Sequence, residues 1–69
     1  MEKWSVEYSV EQGCFHVDIL ENALQSNLES VIENHQTQYC IIGVFDSREE
    51  CRTFIDRLTK AHHIPNYHR

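Results

Sequence analysis

The stretch WSVEYSVEQGCFHVDI, residues 4–19, decides the fold. Trp4, Val6, Tyr8 and Val10 fall on one face of an extended segment, while Lys3, Ser5, Glu7 and Ser9 fall on the other. That period of two is the mark of a strand with one buried face. After Glu11, Gln12 and Gly13 the alternation resumes, with Phe15, Val17 and Ile19 against Cys14, His16 and Asp18. Gly13 can supply the positive φ that a hairpin loop needs, so the stretch reads as two antiparallel strands. Pairing Val10 with Phe15, Tyr8 with Val17 and Val6 with Ile19 puts every apolar pair on one side, and a one-residue slip would destroy the match. The same register sets Glu7 opposite Asp18 on the outer face, beside Ser9 and His16. This is a solvated acidic pair, or a small acidic spot that receives a basic side chain from a partner.

Downstream the period changes. Leu20, Leu24, Leu28, Val31 and Ile32 recur at helical spacing, with Glu21, Asn22, Gln25, Asn27 and Glu29 opposite them. This predicts an amphipathic helix over 20–35, opened by Asp18 with Glu21, unless Asp18 instead finishes the strand, and closed by Asn34, His35 and Gln36. Residues Tyr39 to Phe45 form the most hydrophobic run, apolar on both faces, as expected of a strand buried on both sides. Ser47 followed by Glu50 is a capping box, and Cys51, Phe54, Ile55, Leu58 and Ala61 follow as a second helical stripe. His62 and His63 end that helix, and Pro65 forbids its continuation.

These periods predict an α+β fold: a two-layer sandwich of topology ββαβα. It has a three-stranded mixed sheet in order 2-1-3, with 1-2-3 as the alternative, and both helices on one face. The third strand is expected parallel to the second and antiparallel to the first. Expected spans are 3–10, 14–19, 20–35, 38–45 and 47–63, giving one domain over 1–63 and a polar tail over 64–69. The expected core is Val6, Tyr8, Val17, Leu24, Leu28, Ile32, Ile41, Phe54, Ile55 and Leu58.

Composition narrows function by exclusion. A net charge of −5 with six scattered basic residues argues against nucleic acid or an anionic membrane as partner. No window approaches a membrane span, and Met-Glu-Lys-Trp is no signal-peptide core. Cys14, Cys40 and Cys51 are odd in number and lack CxxC spacing, as expected of reduced thiols in the cytoplasm. Cys14 and His16 share a strand face and are the candidate metal ligands, with Cys40, His62, His63 and His68 as further donors. Zinc needs four donors, usually in preorganised pairs, and only this one pair exists, so neither metal nor cofactor is expected. The alternative reading is a metal- or small-ligand-binding protein built on Cys14, His16 and the histidine tail.

Cys51 lies in a first helical turn, where the dipole favours a thiolate, but Glu49 and Glu50 oppose it and the position is apolar. A structural role follows, and Cys14, beside the hairpin loop, is expected to be the more readily oxidised thiol. No phosphate loop, paired catalytic carboxylates or nucleophile motif is present, so no enzyme activity is expected. A ligand site between subunits would have Tyr39, Tyr67 or His35 at its rim. The reading that remains is a small cytoplasmic interaction or regulatory module. Its expected surface is Cys40, Ile42 and Val44 (or Tyr39, Ile41 and Phe45, depending on register), with Glu7 and Asp18 nearby. The occupant is a protein partner or a second copy in a weak homodimer, unless the tail from Ile64 to Tyr67 covers the stripe.

Overall fold

A computed structural model of the chain describes residues 2–34 and 39–64. The elements are β1 (Trp4–Ser9), β2 (Cys14–Ile19), α1 (Leu20–Ile32), β3 (Cys40–Phe45) and α2 (Arg48–His62). The strands form one sheet in the order β2-β1-β3. Both neighbouring pairs are antiparallel, so the sheet is antiparallel and not the expected mixed one. β2 and β3 do run the same way, but β1 separates them and no parallel pair forms.

The hairpin register differs from the expected one by two residues. Tyr8 faces Phe15, Val6 faces Val17 and Trp4 faces Ile19; Glu7 faces His16 and Ser5 faces Asp18. A two-residue shift preserves the faces, so alternation alone cannot tell the two registers apart. The turn and the aromatic residues decide. Ser9 starts the turn: its carbonyl accepts from the Gly13 N–H at 2.7 Å and its hydroxyl accepts from the Gln12 N–H at 3.1 Å. Gly13 takes the expected positive φ, 67°. The loop therefore opens at Ser9 and expels Val10, which is exposed. In exchange Trp4 gains a partner, and the Tyr8 and Phe15 rings meet edge to face at 4.7 Å.

One apolar sheet face carries the core. Val6, Cys51 and Ile55 are buried at its centre, with Trp4, Phe15, Val17, Phe45 and Phe54 packed around them. β3 fits here through a bulge opposite Val6 and Glu7, where Ile42 is the extra residue between Gly43 and Ile41. Gly43 leaves room for the Phe45–Phe54 ring pair, whose centroids are 5.0 Å apart. A β-carbon at Gly43 would stand 2.7 Å from the Phe45 ring and 3.1 Å from that of Phe54.

α2 lies over this face. The Ser47 hydroxyl accepts from the Glu50 N–H at 3.2 Å, as the capping box requires, while the Glu50 carboxylate accepts from the Asp46 N–H at 2.9 Å. An ion pair between Lys3 and Asp46 joins the start of β1 to the end of β3.

α1 departs from expectation. Three of its expected core residues, Leu24, Leu28 and Ile32, are exposed, and Ala23 is the buried residue of the helix. The helix residues of the core cluster, Cys51, Phe54 and Ile55, all come from α2. α1 begins without a side-chain cap: Ile19 stands at its N-cap, and Asp18 Oδ1 accepts from the Ile19 N–H and from Asn22 Nδ2, at 2.7 and 3.2 Å. It ends at Ile32, short of the expected 35, with Glu33 at its C-cap and Asn34 just beyond at a positive φ of 60°.

Candidate interaction surface

The candidate surface is built on α1. Its i, i+4 row is Leu20, Leu24, Leu28 and Ile32, with Val31 beside the last. Leu24 and Leu28 are 52 and 53% exposed, Val31 and Ile32 70 and 73%. Together they present on the order of 400 Å² of apolar surface, the size of the largest apolar patch on a typical monomer, which is often functional. The next row round the helix is Glu21, Gln25, Glu29 and Glu33. Gln25 Nε2 donates to Glu29 Oε1 at 3.3 Å along it. An apolar ridge and an acidic ridge thus run side by side.

At the N-terminal end of the ridge lies an open groove of about 430 Å³, lined by Glu2, Lys3, Ile19, Leu20, Glu21 and Leu24. The volume is that of a small-ligand pocket, but half the lining residues are charged and the groove opens to solvent. Leu20 is held at its edge by a hydrogen bond from its N–H to the Lys3 carbonyl, 2.8 Å.

The residues expected at the surface on sequence grounds are dispersed. Cys40, Ile42 and Val44 are exposed on β3, so of the two sets that register could have presented, this one faces solvent. Tyr39, Ile41 and Phe45 are half-buried. Glu7 was expected on a solvated face and is instead buried, 5% exposed, in the central strand between the buried Ser5 and Ser9. Burial raises its carboxyl pKa above the ordinary value; the facing His16 works against this and Asp18 adds to it. Asp18 is half-buried and engaged at the start of α1, with His16 Nε2 3.7 Å from its Oδ2. Neither carboxylate forms the exposed acidic spot expected on that face.

The thiols also differ from expectation at one position. Cys14 is buried, with its sulfur 3.4 Å from the Tyr39 hydroxyl and 4.0 Å from Gln12 Oε1. The Tyr39 hydroxyl in turn donates to Gln12 Oε1 at 3.3 Å, and its ring lies 5.7 Å from that of His16. Tyr39 shields Cys14, so the accessible thiol is Cys40. Cys51 is buried in the core; burial first, and then Glu50, push its pKa up, as expected of a structural thiol.

Among the described residues no three His, Cys, Asp or Glu side chains are grouped to hold a metal ion. Nor is any helix there long and apolar enough to cross a membrane. His35, Gln36 and residues 65–69 of the expected tail lie outside the described residues. The signal for the α1 ridge was present in the sequence as helical periodicity, but periodicity marks an apolar face without saying whether the same chain covers it. No protein-family model, curated protein or solved structure matches this chain.

Proposed function

We propose that the chain is a small, non-catalytic cytoplasmic module that acts by binding another protein through α1. The observation that carries this reading is the exposed Leu24, Leu28, Val31 and Ile32 ridge on a helix that buries only Ala23. Covering such partly exposed aliphatic side chains favours association by up to about 1–2 kcal/mol each, against the entropic cost of binding. In this reading the two-layer sandwich expected from the sequence is completed by the partner: α2 supplies the intramolecular layer, and the partner covers what α1 presents. Exposed Ile42 and Val44 on β3 form a lesser apolar patch. Three free cysteines are consistent with a reducing compartment.

Site-specific photo-crosslinking tests the reading. A photoreactive residue at Leu28 is expected to yield a discrete protein adduct in cells that express the chain naturally. The same group at Asp56, on the exposed side of α2, is expected to yield none. The adduct should re-form from the purified partner and be lost with Leu24→Gln/Leu28→Gln. Absence of any adduct from positions 24, 28 and 32 would sink the proposal.

A further inference from the structure

The chemistry of the partner can be narrowed, on the premise that α1 is the docking surface. We infer that the occupant is a basic amphipathic helical segment: an aliphatic row along one face with Lys or Arg in the row beside it. Shape comes first. Leu20 to Ile32 is a straight ridge about 18 Å long at 1.5 Å per residue, and a helical ridge is complemented by the ridges and grooves of another helix. The groove beside Leu20 and Leu24 adds a socket for one terminal anchor of such a segment.

Charge comes second. α1 contains Glu21 and Glu29, with Glu33 at its C-cap, and no Lys or Arg, and these acidic residues all fall in the single row next to the apolar ridge. The groove contributes Glu2, while its one cation, Lys3, is committed to Asp46. Among the described residues neither Glu2 nor Glu21 has an ion-pair partner. A basic row on the incoming helix meets this acidic ridge when the two apolar rows pack, which fixes the face and register of docking as well as affinity.

The same features disfavour a second copy of the chain. Each copy carries a net charge of −5, and in an antiparallel two-fold pairing of α1 with its twin the acidic ridge faces its own copy. The ridge also offers only about half the roughly 800 Å² per partner of a standard stable interface. It fits an occupant the size of a single helix.

The test uses the full chain and three synthetic labelled peptides of about four helical turns. The first has a leucine row flanked by Lys; the second replaces each Lys by Glu; the third keeps the Lys residues and scatters the leucines. Anisotropy titration is expected to show the first binding at least about tenfold tighter than either of the others, with the advantage over the Glu peptide shrinking as salt rises. Amide shift changes should concentrate on residues 20–33. Leu24→Gln/Leu28→Gln should abolish binding, and Glu21→Gln/Glu29→Gln should bring the Lys and Glu peptides to similar affinity.

Equal binding of the Lys and Glu peptides by the unaltered chain overturns the basic partner and leaves the docking surface standing. Equal binding of the scattered peptide reduces the effect to bulk charge and overturns the inference. A dimer that forms with rising concentration and is lost in Leu24→Gln/Leu28→Gln makes the occupant a second copy and overturns it as well. No binding by any peptide, together with no crosslink from α1 in cells, removes both this inference and the reading beneath it.

Discussion

α1 and α2 are nearly the same length, 13 and 15 residues, and both carry an apolar stripe, yet they meet opposite fates. α2 turns Cys51 and Ile55 into the core and half-buries Phe54 and Leu58. α1 leaves Leu24, Leu28, Val31 and Ile32 to solvent. The α1 stripe is wholly aliphatic while that of α2 includes Cys51 and Ala61, so the more exposed stripe is not the less hydrophobic one and hydrophobicity does not explain the contrast. Position does. α2 is capped by Ser47 directly after β3 and lies on the apolar face shared by Trp4, Val6, Val17 and Phe45. α1 starts from edge strand β2 without a side-chain cap and buries Ala23 alone. An amphipathic pattern states that a face wants cover; the tertiary structure states whether cover is at hand.

The contrast breaks most easily by truncation. Ile55→Ala should cost about 2–5 kcal/mol, because a buried aliphatic group is removed from a small core. Leu28→Ala, on the exposed ridge, should change stability by no more than about 0.5 kcal/mol. Urea titration of the two variants beside the parent measures both, and equal losses would show that α1 is packed as tightly as α2. Because a chain this short buries only roughly 60% of its unfolded surface, the Ile55 change alone is expected to unfold a large fraction of it.

A smaller loss should follow from crowding α2 against β3. Gly43→Ala places a methyl 2.7 Å from the Phe45 ring, so one of the two rings has to shift, at a cost of about 1–3 kcal/mol. If the cause is steric, adding Phe45→Leu should recover part of the loss. Thermal melts of the single and double variants decide it, and a double variant less stable than the sum of the singles would refute the explanation.

The smallest effect probes the sheet face that α2 does not occupy. In the folded chain Glu7 holds its proton above the usual carboxylate value of about 4.5, chiefly through burial. The folded state therefore binds more protons than the unfolded one in that range. The stability contributed by neutral Glu7 is complete below the unfolded pKa and is lost as pH rises through the raised folded pKa. Glu7→Gln, which stays neutral, should melt slightly higher than the parent near neutral pH and equal it at acidic pH. A difference that does not vary with pH would remove burial of the charge as its source.

Much of this architecture was legible before any coordinates. Period-two alternation located both hairpin strands, the Tyr39–Phe45 run located β3, and the Ser47–Glu50 box placed the start of α2 to the residue. The strand order 2-1-3 also follows the expectation. Register did not, because Val10 and Trp4 compete for the same apolar partners with equal parity, and the Ser9 turn settles the choice. The burial of Glu7 was hidden for a related reason. Its polarity marked an outer face, but as a residue of the central strand it is flanked by β2 and β3, and its neighbours Ser5 and Ser9 are buried with it. The expected exposure of Cys14 failed because Tyr39, 25 residues away in the chain, packs over it.

The sequence by itself determined the local periods, the turn and cap residues, the acidic charge and the acidic row beside the apolar row of α1. Each depends on residues within a few positions of one another, where backbone geometry alone relates side chains. Only the tertiary structure decided which apolar stripe is core and which is surface. That outcome depends on which helix supplies the cover of the apolar sheet face, and the face itself is assembled by pairing between strands more than 20 residues apart in the chain. The α1 ridge is therefore a product of assembly.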